Sequence, residues 1–275
     1  MPTDSPSVCH TAAQIYHQWE EVSCSQLKSL RESPQAFYQR HILRTAPPKS
    51  GDSLDFGSLF HLWAELGAEV FWERAKICPD PLTTAAGGMS KKADDWIAAL
   101  PAGQFAVSPA DAKKIRQMGE SLLRNQEVCR LIEKTIDREF NVRFQWAGFP
   151  CRCRVDAATP DVFIDWKTTR EDDPASSFIK SVMAFGYHLQ SAFYQQAQFA
   201  LGLPRERMRF IVVSTNWPYE CAVLVLPLAL IALGRSECLR LLRERRDRID
   251  WDYWDRDKAD EVQEINCPAW ALRKE

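Results

Sequence analysis

The sequence lacks a long apolar run, an export signal, a paired-cysteine motif, an excess of either charge and any internal repeat. Its longest apolar stretch, Cys221 to Leu233, falls short of the ~20 residues that span a bilayer and is interrupted by Pro227. The N-terminal MPTDSPSVCHTAAQ has neither a basic n-region nor an apolar h-region. A cytoplasmic protein with no membrane partner is therefore expected. Nine cysteines are an odd number, and without an export signal they argue against a disulfide framework. The closest pair, Cys151 and Cys153, sits one residue apart on an extended segment, so both point to one face without the loop of a CxxC knuckle. That disfavours a zinc or iron-sulfur site. Lys plus Arg number 35 against 37 Asp plus Glu, a net charge of −2, so any grip on a polyanion must rest on a local basic patch.

What is present is an ordinary globular composition: 275 residues, 45% apolar or aromatic and 26% charged. A chain of this size loses roughly 70 to 75% of its unfolded surface on folding, and the absence of repeats favours one domain over 1–275. Residues 1–20 are expected to be poorly ordered, 21–136 to be a mostly helical accessory part, 137–226 to hold a catalytic sheet and helix, and 227–275 a C-terminal helix and tail. In the accessory part, 25–40 reads as two short helices broken at Pro34, and Asp55 can cap a third helix carrying His61. Residues 79–90, PDPLTTAAGGMS, read as a mobile loop, followed by helices over 94–100 and 109–132. From Glu139 to Trp146 the apolar positions Phe140, Val142, Phe144 and Trp146 recur with period two. Strands over 139–146, 151–157 and 162–168 form a meander. A long helix over 176–201 follows, then strands over 209–214 and 221–226, and a helix from Pro227 to about Asp247. The class is α/β, a mixed central β-sheet flanked by helices.

The chemistry lies in CRCRVDAATPDVFIDWKTT, residues 151–169. A hairpin centred on Pro160-Asp161 sets opposite each other residues whose numbers sum to 321, and so places Asp156 across from Asp165. Alternation would put Arg152, Arg154, Asp156, Asp165, Lys167 and Thr169 on one face and Cys153, Val155, Ala157, Ile164 and Trp166 on the other. Two facing carboxylates repel unless a cation or a shared proton lies between them. A hard divalent ion such as Mg²⁺ accepts carboxylate oxygens and leaves room for a phosphate oxygen. Lys167 points to the same side. Alone, Asp-X-Lys more often marks a solvated face whose charges pair with one another.

The flanking motifs make the sequence similar to a known family. Asp156, Asp165-Trp166-Lys167 and Gln190-Ser-Ala-Phe-Tyr194 resemble the D, (D/E)XK and QxxxY series of PD-(D/E)XK nucleases of the RecB-like branch. Gly57-Ser-Leu-Phe-His61 resembles their upstream histidine motif. The likeness sharpens toward RecE-type (exodeoxyribonuclease VIII) exonucleases in Cys151–Asp156, Asp165–Thr169, Tyr187–Tyr194, Ser23–Phe37 and Phe56–His61, and runs from about residue 20 to Pro268-Ala-Trp270. The resemblance implies a restriction-endonuclease-like core with N-terminal accessory helices and one or two Mg²⁺ or Mn²⁺ ions. It implies metal binding by His61, Asp156, Asp165 and the main-chain carbonyl of Trp166, and action of Lys167 on the attacking water. Glu139 stands where the family often has an acidic residue near metal. Gln190 and Tyr194 share a helix face that reaches Lys167 and the DNA backbone, with Arg152, Arg154 and Thr169 as further nucleic-acid contacts. Trp166 departs from the aliphatic residue usual there. The implied activity is 5′ to 3′ degradation of linear double-stranded DNA from its ends, serving a single-strand annealing protein and carried out by a homo-oligomeric ring.

Two other functions fit the same residues: a structure-specific or restriction-like endonuclease, and a recombination scaffold that keeps only the fold. His188 reads as packing, with a phosphate contact as the alternative. The arginines from 235 to 248 are interleaved with Glu237, Glu244 and Asp247, and suit a solvated face or a subunit contact better than a DNA track. Lys91-Lys92 and Lys113-Lys114-Arg116 stay ambiguous.

Overall fold

The structure is a computed structural model and describes residues 5–45, 56–203, 207–254 and 262. Its strands are β1 (Ser7–Cys9), β2 (Val22–Ser23), β3 (Ala75–Ile77), β4 (Phe105–Val107), β5 (Asp137–Trp146), β6 (Phe149–Ala158), β7 (Phe163–Thr169), β8 (Arg209–Ser214) and β9 (Cys221–Leu224). Its helices are α1 (Ala13–Tyr16), α2 (Cys24–Glu32), α3 (Pro34–Phe37), α4 (Phe56–Leu66), α5 (Ala68–Arg74), α6 (Asp94–Ala98), α7 (Pro109–Arg124), α8 (Gln126–Glu133), α9 (Pro174–Ala184), α10 (Tyr187–Ala200) and α11 (Leu228–Trp251). None is long and apolar enough to cross a membrane among the described residues.

The main sheet runs β1-β5-β6-β7-β8-β9, with β2 alongside β6, and is antiparallel except at β2–β6 and β7–β8. A parallel step needs a long crossover, and α9 with α10 supplies it between β7 and β8. Helices cover both faces. Leu27 and Leu30 of α2, Phe193 of α10 and Leu241 of α11 join one core with Phe140, Val142 and Phe144. Phe60 and Trp63 of α4 and Met118 and Leu122 of α7 join the other with Trp166 and Ile211. The expected class, a mixed sheet flanked by helices, is the one found.

Local signals explain most boundaries. Ser23 and Gln26 form a reciprocal capping box that starts α2, and Pro34 opens α3 beneath a Ser33 cap. The β5–β6 turn is Ala147-Gly148, both at positive φ (51° and 82°), as a two-residue hairpin of matching twist requires. The β6–β7 register is the expected one: Ala157 pairs with Ile164 and Ala158 with Phe163.

Several expectations are corrected. The helix read over 109–132 is two helices, because Asn125 leaves helical geometry and its side chain caps Glu127 and Val128 instead. The helix read over 176–201 starts earlier, at Pro174, and breaks at Gly186, whose φ of 62° is left-handed. The loop read over 79–90 carries a 3₁₀ turn at Asp80–Leu82 and a bridge from Thr83 to Met89. Within the first twenty residues, β1 pairs with β5, and Arg152 and Arg154 bind the carbonyls of Tyr16 and Thr11. Asp55 and the 268–270 tail lie outside the described residues.

The largest correction concerns the two faces of the hairpin. Cys151, Cys153 and Val155 belong to the first core, yet Ala157 belongs to the second and Ala158 to the first. Alternation therefore reverses at Asp156. Opposite it on β5, Glu139 adopts φ 48°, and the ladder skips this one rung. Hence Arg152 and Arg154 turn to the N-terminal segment and do not share a face with Asp156.

The α10–α11 contact depends on Gly234. A Cβ there would overlap the His188 carbonyl on α10, and backbone cannot swing aside. Gly234→Ala is expected to destabilise by about 2–3 kcal/mol and to lower Tm by roughly 5–10 °C. An unchanged melting curve would contradict this close approach.

Candidate active site

β7 is buried in mid-sheet, so the polar side chains it carries must find partners inside the protein. Asp165 is 1% exposed. Its Oδ1 accepts a hydrogen bond from Gln190 Nε2 at 2.5 Å, and its Oδ2 is ion-paired with Lys167 Nζ. Lys167 also donates to the Trp166 carbonyl at 3.3 Å and stands 5.2 Å from the centre of the Tyr187 ring. Burial opposes the charge on Lys167, but Asp165 and Asp156 outweigh it and hold the ammonium above its ordinary pKa. Lys167 is therefore a cation and donor at neutral pH.

Asp156 lies where β6 and β7 part. The ladder ends at Ala157 and Ile164, and the Asp156 carboxylate instead accepts from the Trp166 N–H at 2.9 Å. His61, carried by α4, brings Nδ1 to 3.6 Å from the same Oδ2. Burial, and then the nearby charge of Asp165, push the Asp156 pKa up to about 7. Glu139 binds Arg154 through Oε2 and Nε at 2.6 Å, and burial raises its pKa despite that partner.

The sequence-predicted residues thus divide. His61, Asp156, Asp165, Trp166, Lys167 and Gln190 come together from α4, β6, β7 and α10. Arg152 does not join them: it is 2% exposed, held by the Tyr16 carbonyl and stacked on the Tyr16 ring, which leaves no surface for DNA. Arg154 is spent on Glu139 and Thr11. Tyr194 donates to the Arg154 carbonyl at 2.6 Å and so fixes β6 beside the site. Thr169 accepts from the Glu171 N–H. His188 packs, its ring between the Val182 carbonyl and Glu237.

One member of the cluster had been given no role. Lys28 of α2 donates to Gln190 Oε1 at 3.4 Å and lies 5.0 Å from the Tyr187 ring centre. Burial lowers its pKa, and Lys167 adds to the effect. The signal available in sequence was a lysine beside the buried Leu27 and one turn on from Cys24, where the core-facing stripe of an amphipathic helix would carry an apolar residue. Lys28, Asp156, Gln190 and Tyr194 border a cavity of about 270 Å³.

The donor set suits a hard divalent cation in kind: two carboxylates, a carbonyl and an imidazole, with the Asp156 carboxyl pushed toward its protonated form by burial and then by Asp165. As the side chains stand, Lys167 occupies Asp165, and among the described residues no three acidic, imidazole or thiol groups converge on one point. An ion would take over the charge balance that Lys167 now provides.

The family called PDDEXK-like domain of unknown function (DUF3799) matches residues 23–245, and the chain belongs to it. A solved structure of a provisionally assigned exonuclease from Eubacterium rectale is similar with a TM-score of 0.56 at 12% identity, over 94% of this chain and 96% of that one. At that identity the likeness shows the fold. No curated protein matches. A PDDEXK-like domain with Asp156, Asp165 and Lys167 in one cluster supports a nuclease.

Proposed function

We propose that the protein is a divalent-metal-dependent exodeoxyribonuclease of the RecE type, which degrades linear double-stranded DNA 5′ to 3′ as a homo-oligomeric ring and hands its product to a single-strand annealing protein. The observation that carries this reading is the convergence of Lys167 and Gln190 on Asp165 beside Asp156. The end-processing branch is supported by the accessory helices, because α2 brings Lys28 to Gln190 and α4 brings His61 to Asp156. The assignment of the Eubacterium rectale neighbour agrees with it.

His61, Asp156, Asp165 and the Trp166 carbonyl would hold one or two Mg²⁺ or Mn²⁺ ions. When bound, such ions supply Lewis acidity at the scissile phosphate. Lys167, kept charged, orients the attacking water and offsets the negative charge that grows on the phosphoryl oxygens. Gln190 holds the Asp165 carboxylate in one orientation, and Lys28 holds the Gln190 amide in turn.

The test is incubation of end-labelled linear duplex and covalently closed circle with Mg²⁺ or with EDTA. The linear duplex should be consumed from its 5′ ends only with Mg²⁺, the circle should survive, and the protein should elute well above its 31.5 kDa chain mass. Nicking of the circle would assign an endonuclease instead. Mg²⁺ should also raise Tm, since a ligand that binds only the folded state at 100 times its Kd adds about 2.7 kcal/mol. Asp156→Asn should respond much less, and equal shifts in both proteins would place the ion elsewhere.

A further inference from the structure

A second feature lies past the C-terminal ends of β7 and β8. The turn from Thr215 to Glu220 projects Trp217, which is 78% exposed. It faces the first turns of α7 across an open groove of about 800 Å³, whose lining includes Lys113, Lys114 and the Ala85–Gly87 segment and, among the described residues, contains no carboxylate. The walls are built, not loose. The Gly87 carbonyl accepts from the Ala110 N–H at 3.1 Å, the Tyr219 hydroxyl binds Gln117 at 3.1 Å, and Asn216 binds the Arg170 carbonyl at 2.7 Å and Asp172 at 3.1 Å. Lys114 Nζ rests 4.6 Å from the centre of the Phe56 ring, a contact with the ring face that leaves its N–H groups available.

Two routes connect this groove to the acidic cluster. The Thr215 N–H donates to the Thr169 carbonyl at 2.7 Å, and Thr169 is two residues beyond Lys167 on β7, roughly 7 Å along the strand. Phe56 opens the helix that carries His61 five residues later, roughly 7.5 Å along its axis. The groove therefore adjoins the site on the side where both elements end.

We infer that this groove binds a single-stranded segment of nucleic acid, with Trp217 as the stacking platform for an unpaired base and Lys113 and Lys114 as phosphate contacts. A large aromatic left in water beside two lysines, with no acid among the described lining residues, matches the way single strands are held, by a base on a ring and a backbone along a basic track. Within a duplex the base faces are already stacked, so Trp217 selects an unpaired base. The inference rests on the nuclease reading of the neighbouring site, and it gives Lys113-Lys114 a use that the hydrolytic cluster does not require.

The test uses the full chain carrying Asp165→Asn, in EDTA, and reads the anisotropy of a labelled oligo(dT). Trp217→Ala should weaken binding about ten-fold, within the range for loss of one stacked base, and Trp217→Phe should restore most of it. Lys113→Gln with Lys114→Gln should reduce the slope of log K against log salt by about 1.4, two phosphates at about 0.7 each. Unchanged affinity together with an unchanged slope overturns the groove, and so does Trp217-dependent binding of a poly-glutamate peptide in place of oligo(dT). Hydrolysis by the unsubstituted chain is scored separately. Active enzyme with unaffected binding rejects the groove alone, and Trp217-dependent binding by a chain that cuts no DNA rejects the nuclease reading alone.

Discussion

Asp165→Asn should lower DNA hydrolysis by about 10³-fold or more, because the carboxylate anchors Lys167 and Gln190 and, in the proposed site, would also be a metal donor, and removal of a single preorganised electrostatic group already takes 10²–10³. Lys167→Met should do the same to activity but differ in stability. With Lys167 gone, Asp165 and Asp156 remain as buried carboxyls without their counter-charge, and breaking a buried pair in this way destabilises by about 3–5 kcal/mol. Asp165→Asn instead keeps a partner for Gln190 and removes the charge that repels Asp156. Single-turnover hydrolysis paired with thermal melts in EDTA checks both halves. A Lys167→Met protein that melts like the wild type at pH 8 would show the ion pair to be solvated. Near wild-type hydrolysis by either variant would overturn the site assignment.

In the same metal-free buffer, the stability of the wild type should fall as pH rises from about 4 to about 8. The sign follows from Asp156. Its pKa in the fold is about 7 against an ordinary value of 3.8, so between these values the folded state holds a proton that the unfolded chain releases. The stabilisation is full below pH 3.8 and is lost as pH rises through 7. Asp156→Asn should abolish most of this dependence and melt higher than the wild type at pH 8, with little difference at pH 4. Parallel curves for the two proteins would mean that another group holds the proton.

Much of the cluster was legible in the sequence because it depends on short-range rules. A period-two pattern located β5, and the Pro160-Asp161 turn fixed a register that the Ala157–Ile164 pairing matches. The spacing Asp-Trp-Lys set Asp165 and Lys167 on one side of β7. What the sequence could not show was longer in range or hidden in backbone conformation. A left-handed glutamate has no signature, since Glu139 is neither Gly nor Asn, and without it the arginines at 152 and 154 read as companions of Asp156. The breaks at Asn125 and Gly186 interrupt helices whose apolar periodicity runs straight on. Lys28 meets Gln190 across 162 residues of chain, which only the packing of α2 onto α10 brings together.

The reversal at Glu139 and Asp156 also bears on how freely this position can change. Along an ordinary strand every inward position belongs to one hydrophobic layer, and placing a carboxylate there would remove an apolar side chain from it. At the rung where β5 and β6 exchange layers, neither layer claims the residue: Val155 completes one and Ala157 the other. The acid therefore occupies a seam, enclosed by protein yet owed to no packing. Chemistry at this point can be altered without rebuilding either core, and the scaffold would outlast the loss of its activity.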